Sequence, residues 1–168
     1  MRTLKPFDPT SYAAFKAAHG HIFANVYDWA GQERTYTTGR GAATFARAEF
    51  IRSEMDKRFA AIAGDAALRV HDRDGFARAA ALHIGEINAV HPFLEGNGRM
   101  QRVLLQQLAP GAGFVFKITG IDQAAWYAAA EASFQRQDYA PLTTIIAAHL
   151  SDPPANPRPR TAPKTGPS

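Results

Sequence analysis

His91-Pro92-Phe93-Leu94-Glu95-Gly96-Asn97-Gly98-Arg99-Met100-Gln101-Arg102 is the stretch of this 168-residue chain on which its fold and chemistry turn. It joins two helical patterns. Upstream, Phe76, Ala80, Leu82, Ile84, Ile87 and Val90 recur at helical spacing from a start near Asp72-Arg73-Asp74. That segment is Ala-rich and apolar on most sides, which predicts a central buried helix. Pro92 stops it. The residue before a proline is pushed out of the α region, so His91 is expected just past the helix end. Residues 93–98 then read as a loop, and a further helix is predicted from about Asn97 to Leu108, ended by Ala109-Pro110-Gly111.

Working outward, Thr10 or Ser11 caps a first helix carrying Tyr12, Phe15, Ile22 and Phe23, which Asp28-Trp29-Ala30-Gly31 breaks. Thr35 to Thr38 favour strand, Gly39-Arg40-Gly41 reads as a turn, and Thr44-Phe45 can return. A short β-hairpin over 34–45 follows, one that must lean on the helices because an isolated hairpin is marginal in water. A helix over about 47–63 presents Phe50, Ile51, Met55, Phe59 and Ile62 and stops at Gly64. After a short apolar segment over 114–118, two more helices are predicted over 122–135 and 139–150, with Pro141 tolerated in the first turn of the second. The expected fold class is all-α with a short β-hairpin flap, in one domain over 1–150. Residues 151–168, with six prolines and almost no large apolar side chain, read as a disordered tail or linker.

Composition narrows the function classes. Nearly half the residues are apolar and a fifth charged, a globular profile. The chain has no cysteine, which excludes disulfides, thiolate metal sites and cysteine nucleophiles. It shows no apolar leader and no membrane-length apolar run, so no membrane role is expected and a cytoplasmic location is. Of the formal charge of +4, the tail holds +2, from Arg158, Arg160 and Lys164 against Asp152. That balance argues against nucleic acid as the partner. No Walker A sequence occurs, and Gln101 breaks any Rossmann reading of Gly96-x-Gly98. His83 and Glu86 lack further ligands for a metal site, and His19 and His21 read as incidental.

Within residues 91–102 the residue types point one way. Gly96 and Gly98 flank Asn97 where a helix starts. Glycine permits positive φ and close approach of the backbone to a ligand. The first amides of a helix lack internal partners and lie at the positive end of the macrodipole, which suits phosphate. Arg99 and Arg102 share a face of the first turn, where cations repel each other and the dipole; a bound polyphosphate relieves that conflict. Glu95 is a hard ligand, and Mg²⁺ needs only one or two carboxylates beside phosphate oxygens. A neutral His91 can accept a proton near pH 7. Each element alone is ordinary: a structural His, a solvated Glu, a wet helix face, a Gly-Asn-Gly turn. Together within twelve residues they suggest attack of a hydroxyl on a phosphate.

The same stretch resembles the signature of the Fic family, His-x-Phe-x-Asp/Glu-Gly-Asn-Gly-Arg-x-x-Arg, at every defined position. Asn88 precedes it as in many members. Trp29-Ala30-Gly31 with Arg34-Thr35, Trp126-Tyr127, and Asp138-Tyr139-Ala140-Pro141-Leu142 also look like family segments, so the resemblance covers roughly residues 5–150. It implies a protein adenylyltransferase that moves AMP from ATP, with Mg²⁺, onto a Ser, Thr or Tyr hydroxyl. His91 would be the general base, Phe93 the buried aromatic that pins the loop, and Glu95 the Mg²⁺ ligand. Gly96 would supply the turn, Asn97 and Gly98 the anion hole, and Arg99 and Arg102 the contacts to the β- and γ-phosphates. Arg34, Thr35, Tyr36, Thr37 and Thr38 would belong to a flap that holds the target by strand addition.

The related Doc branch has Lys where this chain has Gly98 and transfers phosphate, so Gly98 favours AMP transfer. Transfer of UMP, phosphocholine or phosphate, and a catalytically silent binding module, are the alternatives. Many members carry an inhibitory Ser/Thr-x-x-x-Glu segment. No Glu of this sequence has Ser or Thr four residues before it. Inhibition is therefore expected from a separate antitoxin-like chain or a missing region, in a toxin-type bacterial protein. Cytoplasmic action, or delivery into another cell by a secretion module, would fit.

Overall fold

The computed structural model describes residues 5–41 and 43–154. Helix α1 (Tyr12–Phe23) starts where Ser11 caps it, its hydroxyl accepting from the Ala14 amide at 3.2 Å. A hairpin follows, β1 (Gly39–Arg40) and β2 (Ala43–Thr44), then α2 (Ile51–Gly64), entered through a 3₁₀ turn over Ala48–Phe50. Helix α3 (Arg73–Val90) is the longest. Next come α4 (Asn97–Leu108), β3 (Val115–Phe116), α5 (Gln123–Arg136), α6 (Ala140–His149) and β4 (Leu150–Ser151). Asp122 caps α5, accepting from the Ala125 amide at 2.7 Å. The helical class with a small hairpin is what the sequence predicts.

Helix α3 packs against α2, α4, α5 and α6. Its small residues make this possible: Ala77, Ala80 and Ala81 are fully buried, and a Cβ on Gly85 would lie 2.5 Å from the Tyr139 ring. Tyr139 can therefore press onto α3 and donate to Glu86 Oε1 at 2.6 Å. The aromatic core runs from Tyr12, Phe15 and Phe59 to Phe93 of the loop after α3. Fully burying side chains of this size contributes roughly 1.5–3 kcal/mol each.

Three expectations change. The hairpin is displaced along the sequence: Thr35 to Thr38 are not strand, while Gly39-Arg40, read as turn, pairs antiparallel with Ala43-Thr44. The Phe45 amide donates to the Thr38 carbonyl at 3.0 Å, so the pairing continues one step beyond the strands. Local β propensity of the threonines lost to the pull of Arg34 and Phe45 into the core. Phe50, placed on the apolar stripe of α2, is half exposed because it closes the 3₁₀ turn ahead of the helix. Leu150 is not helical. It is buried on β4, which pairs with the 114–118 segment that had no predicted partner. Most of the Pro-rich tail, residues 155–168, lies outside the described residues. Among the described residues no helix is long and apolar enough to cross a membrane.

Candidate active site

The joint between α3 and α4 forms one wall of a cavity of about 530 Å³, within the range of ligand pockets. His91, Glu95, Gly96, Asn97, Gly98, Arg99 and Arg102 all line it, so the structure brings the predicted motif residues together. Phe93 is the exception, since it is fully buried behind the wall. Phe23 from the end of α1, Tyr27 from the turn after it, Arg40 from β1, and Trp126 and Tyr127 from α5 also line the cavity.

His91 caps α3 in the left-handed conformation, φ 53° and ψ 64°, while its amide still donates to the Ile87 carbonyl at 3.0 Å. Pro92 thus expelled it from the helix as expected. A non-glycine residue held there costs of order 1–3 kcal/mol and persists only where its surroundings impose it. The imposition is visible. The ring stacks on Phe45, centroids 4.0 Å apart and planes within 7°, and Phe45 touches Phe134 behind it. Burial, then the charges of Arg40 and Arg34, push the imidazole down to about 4. It is neutral at pH 7. Nδ1 is buried with no hydrogen bond of good geometry, the Asn88 carbonyl acting on the ring only weakly and against the downward shift, so Nε2 is the nitrogen able to meet a proton from the cavity.

The loop itself is a folded unit. Asn97 is buried, and its side chain closes on Phe93: the Phe93 amide donates to Oδ1 at 3.1 Å and Nδ2 donates to the Phe93 carbonyl at 2.7 Å. The Asn97 side chain is therefore spent on loop shape. Gly96, at φ 85°, turns the chain into α4. A Cβ on Gly98 would meet nothing nearer than Arg102 Nη1 and Trp126 Nε1, each at 3.9 Å, so the Gly98 Cα faces open cavity.

Arg99 is exposed and lies over the Phe23 ring, 5.2 Å from its centroid. Arg102 is half-buried over Trp126 at 5.6 Å, and desolvation followed by the charge of Arg99 pushes its pKa down. The two cations face each other with no acid paired to either among the described residues. Glu95 is exposed at the same rim, its Oε1 accepting from the Gly96 amide at 3.0 Å. Among the described residues no group of three or more His, Asp or Glu could cage a metal. One carboxylate at a phosphate site nonetheless fits Mg²⁺, which keeps waters and takes substrate oxygens.

Two features were missed by sequence reasoning. His19, read as incidental, is fully buried and stacks on Phe93 at 3.8 Å. Its Nδ1 accepts from the Gly31 amide at 2.8 Å, which fixes the tautomer, and Nε2 then donates to the Glu95 carbonyl at 3.1 Å. Desolvation lowers its pKa, in keeping with a neutral ring. The helical register of His19 with Phe15 and Phe23 was the signal available. The second is a buried amide chain. Asn88 Nδ2 donates to the Ala130 carbonyl, Gln101 Nε2 to Asn88 Oδ1 at 3.0 Å, and Trp126 Nε1 to Gln101 Oε1 at 3.3 Å. It ties α3, α4 and α5 together beneath Arg102. His83 and Glu86, by contrast, are paired structurally, with Asp65 and with Tyr139 and Arg58.

Of the five flap residues, Thr35, Tyr36 and Thr37 are exposed and Thr38 is half-buried, whereas Arg34 is 2% exposed and points into the core.

Comparison with known proteins bears on the family and the fold. Residues 9–109 match the model of the Fic/DOC family. A probable protein adenylyltransferase of Sinorhizobium fredii is 38% identical over 86% of this chain and 76% of its own length. The protein adenylyltransferase VbhT of Bartonella schoenbuchensis is 37% identical over 59% of this chain, which spans only 21% of that protein. The probable protein adenylyltransferase Fic of Escherichia coli is 30% identical over 66% of this chain, which spans 56% of it. Among solved structures, the BepC protein of Bartonella tribocorum with bound AMPPNP superposes with a TM-score of 0.79 at 21% identity, over 88% of this chain and 78% of that one. An ADP-bound Fic domain from Bartonella quintana gives 0.78 at 22% identity, over 88% and 76%.

Proposed function

The chain belongs to the Fic/DOC family, and from that premise we propose that it is a protein adenylyltransferase moving AMP from ATP to a Ser, Thr or Tyr hydroxyl of another protein. The observation that carries this is the pair Arg99 and Arg102, without acidic partners among the described residues, and the open space at Gly98 in one cavity with a neutral His91.

In the proposed reaction the phosphates lie on the first amides of α4, with Arg99 and Arg102 against the β- and γ-phosphates. Negative charge there offsets the repulsion between the arginines. Glu95 would hold Mg²⁺, which when bound neutralises phosphate charge. The target hydroxyl approaches past the flap, and His91 takes its proton. The hydroxyl oxygen forms a bond to the α-phosphorus as the bond to the β-phosphate oxygen breaks, and pyrophosphate leaves. Phosphate charge above the imidazole raises its pKa toward the range useful for a base.

Gly98 supports AMP as the group moved. A side chain there would start 3.9 Å from Arg102 and fill the space in front of it. Target docking on the exposed flap edge, and control by a separate antitoxin-like chain, complete the reading. Such an inhibitor should compete with ATP, and inhibition independent of ATP concentration would count against it. The transfer itself is tested by mass spectrometry of a cell lysate incubated with the protein, ATP and Mg²⁺, beside His91→Ala. A gain of one AMP on a hydroxyl residue, absent with the variant, supports the proposal; no gain in either sample opposes it.

A further inference from the structure

One buried charge has no acidic partner. Arginine is almost never fully buried unpaired, yet among the described residues no carboxylate reaches Arg34. Its guanidinium instead gathers four main-chain carbonyls. Nε donates to His91 at 2.7 Å, Nη1 to Tyr36 at 2.7 Å, and Nη2 to Val90 at 2.9 Å and to Ala46. Val90 and His91 are the end of α3, where unpaired carbonyls carry the negative end of the helix dipole and suit a cation. Tyr36 and Ala46 are the two legs of the hairpin. The Arg34 amide also donates to the Pro92 carbonyl at 2.9 Å, and the Ala46 amide to the Ala89 carbonyl at 3.1 Å.

We propose that Arg34 is a positioning residue that docks both legs of the flap onto the catalytic corner, so that the edge receiving a target segment and the imidazole receiving its proton move as one unit. This deepens the transfer reading above and rests on it for the roles of flap and imidazole. The planar fork is what the arrangement needs. A lysine retains the charge but cannot span carbonyls on both legs and the helix end at once. Arg34 does not itself line the cavity that holds Gly98, Arg99 and Arg102.

The test is amide hydrogen exchange on the full chain, with AMPPNP affinity measured alongside. In the unaltered protein the amides of Ala46 and His91, on opposite sides of the tether, should exchange within about threefold of each other. Rates differing by about a hundredfold would overturn the coupling. In Arg34→Lys, amides over 38–46 should exchange roughly tenfold faster or more, with α2 and α5 unchanged and AMPPNP affinity held within about twofold. An unchanged flap, or a uniform rise from α2 to α6, would reduce Arg34 to a general stabiliser and end the proposal. Neither readout requires turnover, so failure of AMP transfer and failure of the tether are distinguishable. Where transfer is measured, the variant should lose kcat/KM for the protein target and keep its KM for ATP.

Discussion

Replacing Gly96 by Ala should unfold the joint that makes the site, while the same change at Gly98 should spare it. Gly96 sits at φ 85°, ψ 1°, where an L-residue pays about 1–2 kcal/mol. Its new Cβ would lie 2.5 Å from Cζ and 2.6 Å from Cε2 of Phe23. That ring cannot simply swing aside. It is 5% exposed, 4.6 Å from the His19 ring and 5.7 Å from Tyr27, with Arg99 over it. Overpacking of this kind costs about 1–3 kcal/mol, so Gly96→Ala should lose about 2–5 kcal/mol in urea unfolding. Gly98→Ala places a methyl in open cavity inside a helix, where Ala exceeds Gly by up to about 1 kcal/mol. Its stability should equal or exceed the parent's while AMPPNP affinity falls. Adding Phe23→Leu to Gly96→Ala should recover part of the loss. A Gly96→Ala protein within about 0.5 kcal/mol of the parent would refute the steric account, as would equal losses at both glycines.

His19→Phe keeps the stack on Phe93 but strands the Gly31 amide and the Glu95 carbonyl; a loss of about 2–6 kcal/mol in denaturant unfolding is expected, at roughly 1–3 per buried unpaired group. Glu95→Gln should leave stability unchanged, since the side chain is exposed, yet weaken calorimetric binding of Mg²⁺-AMPPNP about tenfold or more with little effect on metal-free AMPPNP. His91 should stay neutral down to about pH 4 in an NMR titration of the free protein. Its folded pKa lies below the unfolded value near 6.5, so the unfolded chain binds more protons between the two. The stability it contributes is therefore present above pH 6.5 and falls by about 3 kcal/mol as pH drops to 4, a slope His91→Ala should remove.

Much of this molecule is legible in its sequence because its strongest signals are local. Pro92 placed His91 off the end of α3, Ser11 and Asp122 marked helix starts, and the Gly-Asn-Gly turn announced the helix N-terminus that faces the cavity. What sequence reasoning missed is non-local. His19 gains its meaning only when α1 brings it against Phe93 and Glu95, 76 residues along the chain from the carbonyl it meets. Arg34 read as part of a surface strand because its acceptors, at Tyr36, Ala46, Val90 and His91, are assembled by the tertiary fold. The hairpin shifted for the same reason. Thr35 to Thr38 have the propensity for strand, but burial of Arg34 and Phe45 fixes which residues pair. The Asn88–Gln101–Trp126 chain links three helices and no local pattern encodes it.

The central claim is that the group leaving ATP for the target is AMP. Parallel incubations of the protein and a cell lysate with ATP labelled at the α- or the γ-phosphate decide it. The account predicts that protein-bound label dependent on the added protein, and lost in His91→Ala, comes only from α-labelled ATP, with the corresponding γ-label released in pyrophosphate. Protein-bound γ-label that appears with the unaltered protein and is lost in His91→Ala would identify phosphate transfer and contradict the roles assigned to Gly98 and the anion site.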